Sequence, residues 1–228
     1  VPQDYGKTPQ SFLWKNDGGN FSDVTAMAAP ELLHAGMITA SAATDVDGDG
    51  FTDLLLVGDW MAPTLFKGSK TGFKKATNGL EGANGWWQSI AVSDVDKDGD
   101  PDLVLGNLGE NFYLHPQNDA PVKLWIKDFD NNHTVDKVFS KTWQEKDVPV
   151  FTKRELTDAL PGLKKMNLKH EEYARKTIQE ILGAATKEAT ILEVRTAQSA
   201  IAYNNGKGVF ILKALPMPAQ LSSVHAIW

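Results

Sequence analysis

The sequence predicts a mainly β fold assembled from repeated four-stranded units, and three observations support this. Two nine-residue acidic segments, DVDGDGFTD at 45–53 and DVDKDGDPD at 94–102, carry four aspartates at identical offsets. Each segment lies between two short runs of β-forming residues, such as ITASAATDV before the first and TDLLLVGDW within and after it. A Gly-rich hairpin pattern with a Phe near its second strand recurs at 12–24, 64–76 and 200–214.

These elements repeat with the spacing of a β-propeller. The acidic segments lie 49 residues apart, and each repeat contains a strand, an acidic loop, a strand and a hairpin. Four strands in about 50 residues are typical of a propeller blade. The sequence therefore predicts a single propeller-like domain fragment over residues 1–228, with about three blades and partial blades at both ends. Because the chain begins at Val1 without an initiator Met or a signal peptide, we expect a piece of a longer protein.

Residues 152–183 interrupt the β pattern and are predicted to form a helical insertion within a blade. Thr152 and Glu155 have the spacing of a capping box. Pro161 is expected to end a first helix, and Gly183 suits the end of a second. We expect these helices to cap a sheet, and the alternative is an element that binds a partner.

Composition restricts the function classes. The chain has 228 residues, 42% of them apolar and 23% charged, as in a globular protein. Its net charge of -6 argues against nucleic acid as a partner. The lack of cysteine excludes disulfides and thiolate metal sites. No apolar run approaches the roughly 18 residues of a transmembrane segment.

The acidic loops have the residue types of a calcium site. Alternate carboxylates on a tightly curled loop point toward one centre, and glycine at position 6 permits the turn. With the backbone carbonyl of position 7 and a water, such a loop supplies the roughly 6–8 oxygen ligands of Ca²⁺, whereas Mg²⁺ needs a stricter octahedron. The predicted metal ligands of the first loop are Asp45, Asp47, Asp49, Phe51 and Asp53. Those of the second loop are Asp94, Asp96, Asp98, Asp100 and Asp102.

Two other interpretations of these loops are less consistent with the sequence. An EF-hand would need Glu at position 12, where the chain has Leu56 and Leu105, and it would need flanking helices. A solvated, aspartate-rich turn is disfavoured because the same offsets occur twice in the same β context. Four carboxylates within a few ångströms also repel one another unless a cation lies among them.

A third segment, DFDNNHTVD at 128–136, is a weaker metal candidate. It keeps the offsets of the first two loops but has His133 at position 6, where a side chain is expected to strain the turn. Its predicted ligands are Asp128, Asp130, Asn132, Thr134 and Asp136. The sequence therefore predicts two Ca²⁺ sites and leaves a third open.

The segments DVDGDGFTDLLLVG and DVDKDGDPDLVLGN, with the NDGGNF hairpin, resemble FG-GAP/VCBS repeat proteins. That group includes the calcium-binding blades of the integrin α-subunit propeller. GWWQSIAVSDVDKDGD, LGNLGEN and LPMPAQLSSVHAI are also similar to large exported VCBS-repeat proteins of Bacteroidetes, some of which carry an ASPIC/UnbV domain. The resemblance implies a propeller, bound Ca²⁺ and a location outside the cytoplasm: secreted, periplasmic or on the outer cell surface. It implies no particular activity.

The function expected from these observations is a calcium-binding module of an exported or cell-surface protein. We expect it to recognise or adhere to a protein or glycan. The expected role of Ca²⁺ in the hairpin loops is structural. One alternative is part of a catalytic propeller, such as a calcium-dependent polysaccharide lyase or hydrolase. Another is a purely architectural module of a larger protein. Open sheet edges also predict self-association.

The sequence contains no catalytic motif that we recognise, and we expect no enzyme activity. It has no G-x-S-x-G segment and no P-loop, and its five histidines form no metal-ligand pattern. Adjacent residues of a strand point to opposite faces, so one of Trp86 and Trp87 is a candidate for contacting a ligand.

Overall fold

The structure, a computed structural model, describes residues 5–166 and 169–227. The chain divides into two compact units. We call Lys7–Tyr113 with Thr196–Trp228 the repeat unit, and Leu114–Arg195 with Val1–Gly6 the inserted unit. Residues 167 and 168 of the predicted helical insertion, and residues 1–4 and 228 of the predicted domain, lie outside the described residues.

Most of the regular structure consists of strands. In chain order they are β1 (Trp14–Asp17), β2 (Asn20–Asp23), β3 (Met37–Thr44), β4 (Asp53–Met61), β5 (Thr64–Ser69), β6 (Gly72–Ala76), β7 (Gly85–Trp86), β8 (Ser89–Ser93), β9 (Asp102–Gly106), β10 (Val122–Lys127), β11 (Asp136–Trp143), β12 (Lys146–Pro149), β13 (Thr190–Val194), β14 (Ala200–Asn204) and β15 (Phe210–Ala214). The α-helices are α1 (Thr25–Ala28), α2 (Lys153–Ala159), α3 (His170–Ala174) and α4 (Ile178–Leu182). Short 3₁₀ helices occupy Pro30–His34, Pro161–Met166, Gly183–Glu188 and Met217–Gln220.

The repeat unit contains two antiparallel four-stranded sheets of the same design. The first has the order β3-β4-β5-β6, with β7 pairing to the end of β4, and the second has the order β8-β9-β14-β15. In sequence, Leu114–Arg195 of the inserted unit lies between β9 and β14, the second and third strands of the second sheet. The hairpin at 200–214 therefore completes the sheet that the second acidic loop begins. Within the part of the chain that the structure describes, β1 and β2 form a separate two-stranded sheet.

Apolar residues that alternate along the strands form the core between the two four-stranded sheets. Trp87, Leu55, Leu103 and Phe210 are among the largest side chains of this core. A second apolar cluster lies on the other face of β4 and β5 and includes Phe66 and residues of the segment that follows β2. The first sheet is thus covered on both faces, which requires apolar residues at both alternating positions of β4.

The inserted unit is a sheet of order β12-β11-β10-β13 with helices on it. The third acidic loop joins β10 to β11, and the helices lie between β12 and β13 in the chain. Tyr173, Ile178 and Ile181 pack with Trp125 of the sheet in a buried cluster. The capping box of Thr152 and Glu155 is confirmed, since each residue bonds the other's backbone N–H. The helices of this segment thus pack as a cap on their own sheet.

The described residues confirm a mainly β fold with several four-stranded antiparallel sheets. None of the sheets within residues 5–166 and 169–227 closes on itself. The described part of the chain contains no helix with the length and apolar character needed to span a bilayer.

Candidate metal centres

Each acidic loop connects two adjacent antiparallel strands and brings three of its aspartates together. One carboxylate oxygen from each member of a triad lies within 4.8 Å of the other two. The triads are Asp45, Asp47 and Asp53; Asp94, Asp96 and Asp102; and Asp128, Asp130 and Asp136. These are positions 1, 3 and 9 of the loops in every case, so the repeated offsets produce a repeated geometry.

The three loops also share one backbone conformation. Positions 4 and 6 have positive φ in each loop, which curls the chain around the position-1 carboxylate. These residues are Gly48 and Gly50, Lys97 and Gly99, and Asn131 and His133. His133 has φ 66°, in the left-handed region where histidine is enriched relative to other non-glycine residues. The third loop therefore keeps its shape without the glycine, and its carboxylates converge as in the others.

The position-1 aspartate accepts hydrogen bonds from the backbone of its own loop. Asp45 accepts from the N–H of Gly50 through Oδ2 at 2.8 Å and from Gly48 through Oδ1 at 2.8 Å. These bonds, that of Gly50 first, lower the pKa of Asp45. Asp128 accepts from His133 at 2.8 Å in the same way. The Asp45 carboxylate is thus held ionised, and the backbone hydrogen bonds of the loop orient it.

In the first two loops the position-9 aspartate is buried and bonds two separate parts of its sheet, whereas Asp136 of the third loop is half-buried and accepts from Phe129 N–H at 2.8 Å. Asp53 Oδ2 accepts from Val46 N–H at 3.0 Å, and its Oδ1 accepts from Gly68 N–H of β5 at 2.7 Å. Burial raises the pKa of Asp53, and these two hydrogen bonds oppose that rise. Asp102 repeats the arrangement, with Oδ2 accepting from Val95 at 2.9 Å and Oδ1 from the third strand. The last predicted ligand is therefore also a link between the loop and the sheet.

Some predicted ligands lie outside the triads. Asp49, Asp98 and Asn132, at position 5, accept through Oδ1 from the N–H two residues later, which belongs to Phe51, Asp100 and Thr134 respectively. The Asp100 side chain lies close to Gly206. A Cβ added at Gly206 would lie 2.5 Å from Asp100 Oδ2. Within the described residues the position-5 side chains therefore stabilise the turn, and the triads are formed by positions 1, 3 and 9.

A basic residue that the sequence analysis missed contacts the first triad. Lys67 of β5 places its Nζ 2.6 Å from Asp47 Oδ2. The hydrogen bond that Lys67 donates to Asp47 raises the pKa of Lys67, so the ammonium stays charged. The signal available in the sequence was the similarity of LFKGS at 65–69 to LWKND at 13–17, which places a lysine at the same hairpin position.

The prediction that Trp86 or Trp87 faces a ligand is wrong. Their exposed fractions are 5% and 0%. Trp87 lies in the core between the sheets and donates its indole N–H to the carbonyl of Ala83 at 3.0 Å. Trp86 makes edge-to-face contacts with Trp60 and Phe112. Both faces of this segment are covered, so alternation along the strand exposes neither ring.

Comparison with known proteins identifies one repeat. Residues 45–105 match a family model described as an FG-GAP-like repeat. The matched segment begins at the first triad and ends in β9, so it contains both acidic loops of the repeat unit. Searches among curated proteins and among solved structures found no match to the chain. The match covers the repeat and leaves the inserted unit outside it.

Proposed function

We propose that this chain is a calcium-binding β-propeller module of an exported or cell-surface protein, and that it serves recognition or adhesion. The observation that carries the proposal is the repeated carboxylate triad, since each of three loops brings three carboxylate oxygens within 4.8 Å. The FG-GAP-like repeat at 45–105 supports the assignment of the four-stranded sheets as propeller blades. The face-to-face packing of the two sheets in the repeat unit also suits consecutive blades.

Calcium fits the donor set of the loops better than other common cations. The triads offer carboxylate oxygens, and the described residues place no histidine or thiolate in them, which disfavours transition metals. Two or more carboxylates in a flexible loop, completed by carbonyls and water, match the irregular coordination of Ca²⁺. The positive φ angles at positions 4 and 6 already give the loop the curvature that such coordination requires.

The proposed role of the cation is structural. Three carboxylates in one loop repel each other when no cation is present, and a divalent ion removes that repulsion. In the first loop, Lys67 supplies one positive charge to Asp47, which is a partial substitute for the cation. Because Asp53 and Asp102 also bond the third strand, a cation bound at position 9 stabilises the strand pairing as well as the loop. Calcium would therefore raise the stability of the whole sheet.

The proposed location is outside the cytoplasm, where calcium is plentiful enough to fill loops of modest affinity. Extracellular calcium modules bind with dissociation constants of about 10⁻⁴–10⁻³ M. In the proposed function the loops hold the metal against the sheet, and the module presents a surface that binds a protein or glycan. Neither role requires a catalytic step.

Calcium titration by calorimetry, with thermal melts in calcium and in chelator, tests the metal assignment. We expect at least two sites and a higher Tm in calcium, with a smaller shift in magnesium. Asp47→Ala, Asp96→Ala and Asp130→Ala should each remove the site of their own loop. Asp119→Ala, at an exposed aspartate outside the loops, is the matched control and should change neither the number of sites nor the Tm shift. If the wild-type chain shows no heat of binding and no Tm shift, the metal assignment is wrong.

The recognition role is tested separately on a glycan array, probed with the labelled chain in calcium and in chelator. Binding that requires calcium and is lost in the Asp47→Ala, Asp96→Ala double variant supports recognition through the calcium-loaded module. Cleavage of an arrayed polysaccharide would instead favour the catalytic alternative.

A further inference from the structure

The hairpin β1–β2 has the same register as the outer hairpins of the two four-stranded sheets. Asn16 pairs with Phe21 in this hairpin, as Gly68 pairs with Phe73 in β5–β6 and Asn204 pairs with Phe210 in β14–β15. In the two larger sheets, the first strand of the hairpin also pairs with an inner strand, which is β4 or β9. Among the described residues, β1 pairs with β2 alone. The hairpin therefore has the form of the outer half of a sheet.

The apolar side chains of this hairpin are exposed where their equivalents in the two larger sheets are buried or, at Phe73, half-buried. Trp14 lies two residues before Asn16, as Phe66 lies two residues before Gly68. Trp14 is 57% exposed and Phe66 is 0% exposed. Ala202, at the same position of β14, is also 0% exposed. Phe21 is 64% exposed, whereas its equivalent Phe210 in β15 is 1% exposed. Exposed aromatic residues at positions that are otherwise buried indicate a surface that another element covers.

The polar groups of β1 match those that bind an acidic loop in the first sheet. Lys15 has the position of Lys67, whose Nζ bonds the position-3 aspartate. Asn16 has the position of Gly68, whose N–H bonds the position-9 aspartate. Lys15 now lies 2.9 Å from Asp17, and both side chains are largely exposed.

The backbone of β1 is oriented to make the second of these bonds. Asp17 and Asn20 pair across the two-residue turn of Gly18 and Gly19. Antiparallel pairing alternates between hydrogen-bonded and non-hydrogen-bonded pairs, so the N–H of Asn16 points away from β2. Gly68 and Asn204 direct their N–H groups to Asp53 and Asp102 from the same place in their hairpins.

We propose that β1 is a docking edge for one further acidic-loop hairpin, a strand–loop–strand segment of the type D-x-D-x-D-G-x-x-D. The inner strand of that hairpin pairs with β1 and covers Trp14. Its position-3 aspartate binds Lys15, and its position-9 aspartate accepts from the N–H of Asn16. The three acidic loops of the described residues already belong to their own sheets, so this hairpin comes from outside them. The inference rests on strand register and charge and does not require an occupied metal site.

A peptide with the sequence of residues 36–61, which spans β3, the first acidic loop and β4, is a suitable probe. It is titrated into the isotope-labelled 228-residue chain, and the backbone amides and the Trp14 indole are followed by NMR. We expect saturable shifts at Trp14, Lys15 and Asn16. A peptide in which the aspartate at the position of Asp53 is replaced by leucine should bind about tenfold more weakly, since it loses charged hydrogen bonds.

Variants of the chain distinguish a specific contact of the peptide with Lys15 from nonspecific electrostatic binding. Lys15→Glu should weaken binding of the peptide severalfold, because it places a like charge opposite the acidic loop. Lys70→Glu, in the exposed turn of β5–β6, is the matched control and should leave binding unchanged. Equal weakening by both variants would show a general charge effect and would overturn the proposal.

Two further outcomes would also overturn it. Shifts confined to β5 would show that the peptide replaces the chain's own inner strands and does not bind β1. Dimerisation of the chain through β1, with no response to the peptide, would make a second copy the occupant. Calcium binding is measured on the chain without peptide, so a failure of docking leaves the proposed metal function untouched.

Discussion

Asp102 and Asn204 are 102 residues apart in the chain, and Asp102 Oδ1 accepts the backbone N–H of Asn204 at 2.9 Å. Between them in sequence lies Leu114–Arg195, the larger segment of the inserted unit. The same carboxylate accepts from Val95 through Oδ2, so one buried side chain joins the second loop, the second strand and the third strand of the sheet. The sheet is therefore completed across a large insertion by strand pairing together with this aspartate.

Replacement of Asp102 should destabilise the repeat unit even when no metal is bound. In chelator we expect Asp102→Ala to lower the free energy of unfolding by about 3 kcal/mol, because the N–H groups of Val95 and Asn204 lose their acceptor. Asp119→Ala, at an exposed aspartate outside the acidic loops, should stay within about 0.5 kcal/mol. Urea unfolding of both variants measures the difference. Equal stabilities would mean that Asp102 acts only as a metal ligand.

Removal of the ammonium at Lys67 should increase calcium affinity at the first loop. Lys67 bonds Asp47, so a cation that takes Asp47 as a ligand must displace that interaction or tolerate the nearby positive charge. We expect Lys67→Met to tighten calcium binding at this loop severalfold and to lower the Tm slightly in chelator. Calorimetry on the Asp96→Ala background isolates the first loop from the second. Lys70→Met is the control, and an unchanged affinity in Lys67→Met would contradict the expected competition.

A glycine at position 133 should improve the third loop. His133 adopts φ 66°, a conformation that costs a non-glycine residue about 1 kcal/mol and that glycine adopts freely. We therefore expect His133→Gly to raise the calcium affinity of this loop a few-fold, as measured by titration of a variant that lacks the other two sites. His115→Gly, at an exposed histidine outside the loop, should have no such effect. A loss of affinity in His133→Gly would indicate that the imidazole contributes to binding.

The inserted unit should lose stability at alkaline pH through Tyr173. Burial, with a smaller contribution from the charge of Glu155, raises the pKa of Tyr173 to about 12. Its hydroxyl donates to the carbonyl of Phe151 at 2.8 Å. A folded-state pKa above the unfolded value of about 10 gives a stability contribution that is present below about pH 10 and lost as the pH rises through about 12.

Denaturant unfolding at a series of pH values, with tyrosinate absorbance as a second signal, measures this effect. Tyr173→Phe should lower stability at neutral pH by about 1 kcal/mol, since the carbonyl of Phe151 loses its donor. The variant should also flatten the alkaline decline in stability. An unchanged decline in Tyr173→Phe would assign the alkaline effect to other groups.

The sequence by itself determined the acidic loops and the class of the fold. Aspartate offsets and β-forming flanks are local features, and strand alternation and turn chemistry act within a few residues, so these predictions needed no long-range information. The capping box of Thr152 and Glu155 and the helix end at Gly183 are local in the same sense.

Only the tertiary structure decided which strands share a sheet. Pairing of β9 with β14 joins residues about 100 positions apart, and no local pattern distinguishes that partner from a nearer strand. The burial of Trp86 and Trp87 was likewise decided by packing, since alternation predicts one exposed ring only where a sheet has one solvated face. The contact of Lys67 with Asp47 and the open edge of β1 also depend on strand register. Register is set when distant segments pack against each other, and that is why the sequence alone did not determine it.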